Sequence, residues 1–265
     1  NGLIFMAKIK ISIICPTYNS EKFIARTLNM LLNQKKLPDE VIFCDDGSSD
    51  NTFKILKSYK KLFQNKKIIF KLIKSRHQGP GNARNLALAK STSDYICFLD
   101  SDDMWYDNKI LVLKNYIKKF PNKNFFIHWE KFVTLKKKTT LKHGYLINQK
   151  NDLFIQLYKS NYFSTSAVTC KKNDFRKKLR FDKNLKNAQD YDLWLKISND
   201  IKLKIIPKIL GCYIDRKDNI TNRYYFKKIS ALLKISLRYK PKNKFKIFLF
   251  KVLRILFSLQ WFKVN

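Results

Sequence analysis

Acidic residues are scarce in this chain. Its 265 residues hold 20 Asp and Glu against 55 Lys and Arg, a formal charge of +35. Such an excess implies an anionic partner, whether nucleic acid, an acidic membrane surface or a phosphorylated substrate. Lysine recurs at plain surface positions throughout, so the distribution of charge says more than its sum. Histidine is rarer still: His77, His128 and His143 have no mutual ligand spacing, which argues against a histidine-built metal centre. The five cysteines, Cys15, Cys44, Cys97, Cys170 and Cys212, form no C-x-x-C pair and are odd in number. That argues against a disulfide scaffold and favours a reducing compartment, with Cys15, Cys44 and Cys97 as small hydrophobes inside apolar runs. The opening Asn1 to Met6 is too short for the apolar region of a signal peptide, and Met6 is a candidate start. No internal repeat is visible. A hydrophobic content of 45% with 14% aromatics excludes a disordered chain. The length suits one large domain, or a domain with an appendage.

The few acids are concentrated. Tyr95 to Leu99 is a near-continuous apolar run that ends in Asp100-Ser101-Asp102-Asp103. Such a run predicts a strand buried on both faces of a parallel sheet. Carboxylates at its carboxyl end sit where open α/β sheets bind ligands. Asp100 and Asp102 bracket one serine, so a turn there can aim both at one hard cation. The simpler alternative is a solvated, helix-capping turn.

The preceding residues repeat the pattern. Lys8 to Cys15 reads as a strand stopped by Pro16-Thr17-Tyr18-Asn19. Ser20 is placed to cap a helix with Ile24, Leu28, Leu31 and Leu32 on one face. Glu40 to Cys44 is a second strand, ending in Asp45-Asp46-Gly47-Ser48-Ser49-Asp50, where Ser49 or Asp50 can cap a second helix. A third strand, Ile68 to Ile73, leads through the turn Gly79-Pro80-Gly81 into a helix over Ala83 to Lys90. Strand and helix alternate with short connections, which predicts a doubly wound, mostly parallel sheet flanked by helices. In such a sheet the three polar strand ends share one edge and converge on a cleft.

The succession PTYN, DDGSSD, GPGNARN and FLDSDD over residues 8 to 103 resembles the family 2 glycosyltransferases, inverting enzymes with the Rossmann-like GT-A fold. The resemblance implies transfer of a sugar from a nucleotide-diphosphate donor, a UDP-sugar foremost, to a hydroxyl of a glycan or lipid-linked acceptor. The setting it implies is cell-envelope polysaccharide or lipopolysaccharide synthesis. It implies a divalent cation, Mn²⁺ or Mg²⁺, held by Asp100 and Asp102. A nucleotide-sugar site is implied at Pro16, Thr17, Tyr18, Asp45, Gly47, Ser48, Arg84 and Asp100, with a surface ion pair as the alternative role for Arg84. Asn187 to Leu195 resembles the helix that supplies the family's base, which makes Asp190 the catalytic residue. Gln189 stands where the family usually has Glu, so Gln189→Glu is expected to be tolerated. Asp192, two residues on, faces elsewhere on a helix and reads as structural. Ile214 and Arg216 stand where the family's closing Tyr-Arg-x-His segment has Arg and His. A histidine contribution to the metal site is then absent, or replaced by Arg216 pairing with phosphate. Residues 8–215 are assigned to this domain.

Residues 216–265 differ in character. From Asn219 onward there are twelve Lys or Arg and no Asp or Glu. Lys244 to Lys263 is strongly apolar but carries Lys251 and Arg254 near its centre, which argues against a spanning helix. At helical spacing Lys244, Lys251, Arg254 and Ser258 fall on one side, opposite Phe245, Leu249, Val252, Leu253, Leu256 and Leu259. This predicts a helix lying in an anionic membrane surface with its basic side at the headgroups, beside Trp261; the alternative is a helix packed on the catalytic domain with its lysines in water. The expected location is cytoplasmic, peripheral on the inner face of the cell membrane. Two rival readings remain: a non-catalytic, membrane-associated protein on a degenerate transferase fold, and a basic nucleic-acid-binding protein. The second leaves the ordered acidic strand ends unexplained, and no nucleic-acid partner is expected.

Overall fold

The structure is a computed structural model and describes residues 8–133, 138–214, 225–242 and 244–261. Its strands are β1 (Ile11–Thr17), β2 (Glu40–Asp45), β3 (Ile69–Lys74), β4 (Tyr95–Phe98), β5 (Met104–Trp105), β6 (Phe125–Val133), β7 (Lys138–Leu141), β8 (Val168–Lys171) and β9 (Leu203–Ile214). Helices α1 (Glu21–Leu32), α2 (Thr52–Ser58), α3 (Lys60–Asn65), α4 (Pro80–Lys90) and α5 (Lys109–Lys119) serve the first half. The second half has α6 (Leu153–Lys159), α7 (Lys172–Phe175), α8 (Gln189–Ile197), α9 (Tyr225–Arg238) and α10 (Phe245–Trp261).

These strands form a single sheet in the order β3-β2-β1-β4-β8-β6-β9-β5, with β7 on the free side of β6. The first four strands are parallel throughout, as their alternation with helices requires. The apolar run before the acids becomes β4, the central strand between β1 and β8. Beyond it the sheet is mixed: β8 is antiparallel to β4 and to β6, while β9 runs parallel to β6. Successive residues of a strand face opposite layers. Ile14, Ile42 and Phe98 therefore pack with α4 and α8 on one side, and Ile13, Val41 and Cys97 with α1 and α5 on the other.

Several boundaries correct the sequence expectation. Pro16 does not stop β1; it pairs opposite Cys44, and the strand ends at Thr17. Its position shares the side of Ile14, whose carbonyl receives the Leu99 N–H as the pairing with β4 ends. A missing N–H therefore costs no ladder bond there. Ser20 heads α1 without capping it, because its Oγ lies 3.0 Å from Ser101 Oγ. Asp50 supplies the missing acceptor to both helices, taking Glu21 N at 3.1 Å and Thr52 N at 3.0 Å. The second helix is two, broken at Tyr59. Arg216 and the Asn219–Thr221 stretch lie outside the described residues, as does the 215/216 domain boundary.

The C-terminal helix forms, and Lys251 of its basic side faces inward among Ile247, Phe248 and Ile255, while Lys244 and Arg254 stay exposed. Lys251 and Ile255 are buried, and Lys251 Nζ lies 4.9 Å above the Tyr191 ring and 3.5 Å from Lys159 O. Arg254 reaches Ser160 Oγ at 3.4 Å. A lysine on this side meets the uncovered carbonyls ending α6 and an aromatic face of α8, so water is not its only polar surrounding.

Candidate active site

At the first sheet edge Asp45, fully buried, accepts from Ser48 N at 3.2 Å and Ser48 Oγ at 2.5 Å. Gly47 closes this turn at φ 75°, a left-handed conformation, and a Cβ there would stand 3.0 Å from His77 N. Thr17 Oγ1 lies 3.4 Å from Cys44 O, and Tyr18 is exposed, with its ring stacked on His77 at 4.1 Å. Asp46 was not among the expected site residues, yet it organises this edge. Its carboxylate accepts from Gln78 N at 3.0 Å and Gly79 N at 2.8 Å, and lies 2.9 Å from His77 Nδ1. The acid doublet thus divides its work: Asp45 shapes its own turn, and Asp46 ties it to the glycine turn that starts α4.

The acids after β4 are held from three sides. Arg84 of α4, 7% exposed, donates from Nη2 to Asp100 Oδ1, while its Nε has no hydrogen-bond partner among the described residues. Burial opposes that guanidinium's charge, but the Asp100 carboxylate outweighs it and holds the proton more tightly than usual. Arg84 is therefore no surface ion pair. The Asp100 N–H donates to Ser166 Oγ at 3.0 Å, and Ser166 Oγ donates to Asp103 Oδ2 at 2.5 Å. Below them Lys109, fully buried, donates to Ser166 O at 2.7 Å and lies 3.4 Å above the Trp105 ring. Burial brings the Lys109 ammonium down to about 7. Asp103 is pushed well above the usual carboxylate range, first by burial and then by the charges of Asp102 and Asp100. Asp102 accepts from Arg26 through its backbone carbonyl at 2.9 Å.

The base candidate arrives on α8. Ala188 takes a left-handed φ of 54° just before the helix, and Asp190 follows in its first turn. Burial raises the Asp190 carboxyl, and the Asp100 charge adds to this; the Tyr191 N–H and Arg84 oppose it. Gln189 is 4% exposed and donates from Nε2 to Leu185 O at 2.5 Å. A Cβ on Gly81 would lie 2.7 Å from this side chain, so the glycine is what lets α4 and α8 approach. Asp192 points away, fully buried and 2.7 Å from Arg238 Nη1.

Arg84, Asp100 and Asp190 line one cavity of about 690 Å³, together with Asp103, His143 and Tyr162. Pro16, Thr17, Tyr18, Asp45, Gly47 and Ser48 lie along the same strand-end edge but outside that cavity, and so does Asp102. Sequence reasoning missed Ser166, Lys109 and the buried Glu130, which meets His143 Nε2 at 2.9 Å. These come from elements without a motif, and only the fold brings them together.

A parallel sheet half with acid-ended strands, joined to a mixed half that carries a carboxylate helix, is the GT-A architecture. The family model for glycosyl transferase family 2 matches residues 12–178, and the chain belongs to that family. A glycosyltransferase of Rickettsia bellii is 30% identical over 215 residues, covering 80% of this chain but only 30% of its own length. One of Methanocaldococcus jannaschii is 27% identical over 250 residues, 91% of this chain and 83% of that one. Among solved structures, Staphylococcus aureus TarS in complex with UDP-GlcNAc superposes with a TM-score of 0.68 at 20% identity, over 93% of this chain and 71% of the other.

Proposed function

We propose that this protein transfers a sugar, with inversion, from a UDP-sugar to a hydroxyl of a glycan or lipid-linked acceptor in cell-envelope polysaccharide synthesis. The observation that carries the reading is the meeting of Arg84–Asp100 and Asp190 on one cavity at the carboxyl edge of the parallel strands. Two relatives support the substrate classes. The TarS structure contains UDP-GlcNAc, and Escherichia coli WfgD, 40% identical over 114 residues, is named for UDP-Glc and a diphosphoundecaprenol-linked acceptor.

In this reading the acceptor hydroxyl oxygen bonds to the anomeric carbon as the carbon–oxygen bond to the diphosphate breaks. The hydroxyl proton passes to the Asp190 carboxylate, and the nucleoside diphosphate leaves with the bonding pair. Attack opposite the leaving group inverts the centre. Thr17, Tyr18, Asp45, Gly47 and Ser48, beside Pro16, receive the nucleotide, and the unpartnered Nε of Arg84 suits a phosphate oxygen.

Among the described residues no three carboxylate, imidazole or thiol groups converge as a ready cation site, so a divalent ion here would draw much of its shell from the substrate. Three carboxylates share one turn, Asp103 raised first by burial and then by the charges of Asp102 and Asp100, and Arg84 pairs with Asp100. Two carboxylates plus substrate phosphates are an ordinary Mg²⁺ or Mn²⁺ complement, so Asp100 and Asp102 are the residues that would hold it. When bound, the ion supplies positive charge to the leaving diphosphate. A neighbour of the same fold, a Pyrobaculum calidifontis mannosyltransferase (TM-score 0.62, 17% identity, 86% of this chain and 63% of that one), was solved with GDP-Man and Mn²⁺. Carboxylates gathered at the cavity weigh against a nucleic-acid ligand there, since they repel phosphates unless a cation intervenes.

The test is donor turnover by the wild type and by Asp190→Asn. The variant is expected to lose transfer by about 10²-fold or more while nucleotide affinity stays within a few-fold. Near-normal turnover would remove Asp190 from the mechanism.

A further inference from the structure

Helix α10 carries an apolar stripe outward as well as one inward. Its inner side is fixed by Ile247, Phe248 and Ile255 against the core and by Lys251, with Arg254 at the margin reaching the end of α6. Opposite them Phe245, Leu249, Leu253 and Leu256 recur at four-, four- and three-residue spacing, one stripe on a helix, and all four are at least 41% exposed. Phe250, on the flank of that stripe, is 60% exposed. Surface helices ordinarily bury such a stripe and show their lysines to water; here Lys251, buried in mid-helix, makes the orientation unambiguous.

The charge around the stripe says what covers it. Lys234, Lys240, Lys242, Lys244 and Lys246 are exposed on α9, on α10 and between them, and residues 219–265 contain no acid. A second copy docked by a two-fold axis would bring two such lysine sets together, because an isologous contact sets each patch against itself. An anionic bilayer accepts both features at once, hydrocarbon for the stripe and headgroup charge for the lysines. We propose that the outward stripe of α10 is a membrane-docking face selective for anionic lipid. The basic residues that read lipid charge are the lysines flanking the stripe; Lys251 and Arg254, expected from sequence to lie at the headgroups, fasten the helix to the catalytic half instead.

The test uses the full chain and sedimentation with vesicles of phosphatidylcholine alone or mixed with phosphatidylglycerol, without donor or acceptor. Binding is expected to be much stronger with the anionic lipid, weakening as salt rises to the residual level seen with phosphatidylcholine alone. The paired substitution Leu249→Gln/Leu253→Gln alters only exposed positions and is expected to reduce partitioning by about tenfold or more. Lys242→Gln/Lys246→Gln is expected to flatten the salt dependence while leaving the high-salt component. Failure of the wild type to bind anionic vesicles at low salt would overturn the proposal. So would a self-associated wild type that the paired Leu substitution turns into monomer, since the stripe would then belong to a second copy. Nucleotide affinity measured on the same samples checks that the variants are folded. Either failure leaves the transfer reading standing.

Discussion

At the scale of single residues, the site is governed by how the fold treats each carboxyl group. Asp190 is held above the ordinary carboxylate range mainly by burial, with the Asp100 charge in support. A base must be ionised to accept a proton, so the acid limb of kcat/KM is expected to fall as pH drops through this raised value. That limb should lie at higher pH than a solvated aspartate would give, and should vanish from the residual rate of Asp190→Asn. A pH–rate profile of both proteins checks it. Gln189 shows the opposite case, a neutral group whose amide is needed as a donor. Replacing it with Glu sets a carboxylate against Leu185 O in a nearly fully buried place. The expected cost is about 2 kcal/mol, the range for a buried group left without its partner. In thermal denaturation this is a loss of roughly 4–8 °C for a chain of this size. The sequence suggested that Gln189→Glu would be tolerated as a return to the family pattern; the Gly81 contact and the Leu185 bond argue that it is not.

At the scale of elements, what was legible and what was not divides at β4. Up to that strand each element is local: an apolar run, a polar stop and an amphipathic helix, so periodicity places β1 to β4 within three residues at either end. Pro16 misled because its missing N–H matters only when the neighbouring strand continues, which no local pattern reveals. Beyond β4 the elements are short and their partners distant, as with Ser166, which meets Asp100 and Asp103 from a 3₁₀ turn before β8. The side of α10 that faces the protein was illegible for the same reason, since helical spacing defines two faces but not which is covered. Arg238 is the clearest long-range tie. From α9 it lies 2.8 Å from Asp182 and 2.7 Å from the fully buried Asp192 of the base-bearing helix. Arg238→Met leaves Asp192 buried with the Tyr239 hydroxyl and the weaker ion pair to Lys196 at 3.8 Å as its remaining partners. A loss of about 3 kcal/mol by denaturant unfolding is expected, at the lower end for orphaning a buried charge because Arg238 itself is partly exposed.

At the scale of the whole molecule, the two halves of the sheet join along the β4–β8 ladder, and the site lies at the carboxyl end of β4 beside that seam. Arg84 comes from the parallel half, Asp190 from the mixed half, and Asp100 lies between them. A nucleotide and a cation bound at this junction would add contacts to both sides of the seam in the folded state alone, so ligation should appear as global stability. A ligand that binds only the folded state adds RT ln(1 + [L]/Kd), or about 2.7 kcal/mol at a hundredfold excess over Kd. UDP with Mn²⁺ or Mg²⁺ is therefore expected to raise the melting temperature by several degrees, and UDP with a chelator by much less. Asp102→Asn should abolish the metal-dependent part of that rise, read against the melting temperature of the unliganded variant. A rise that ignores both the chelator and the substitution would place the cation elsewhere, or remove it from nucleotide binding altogether.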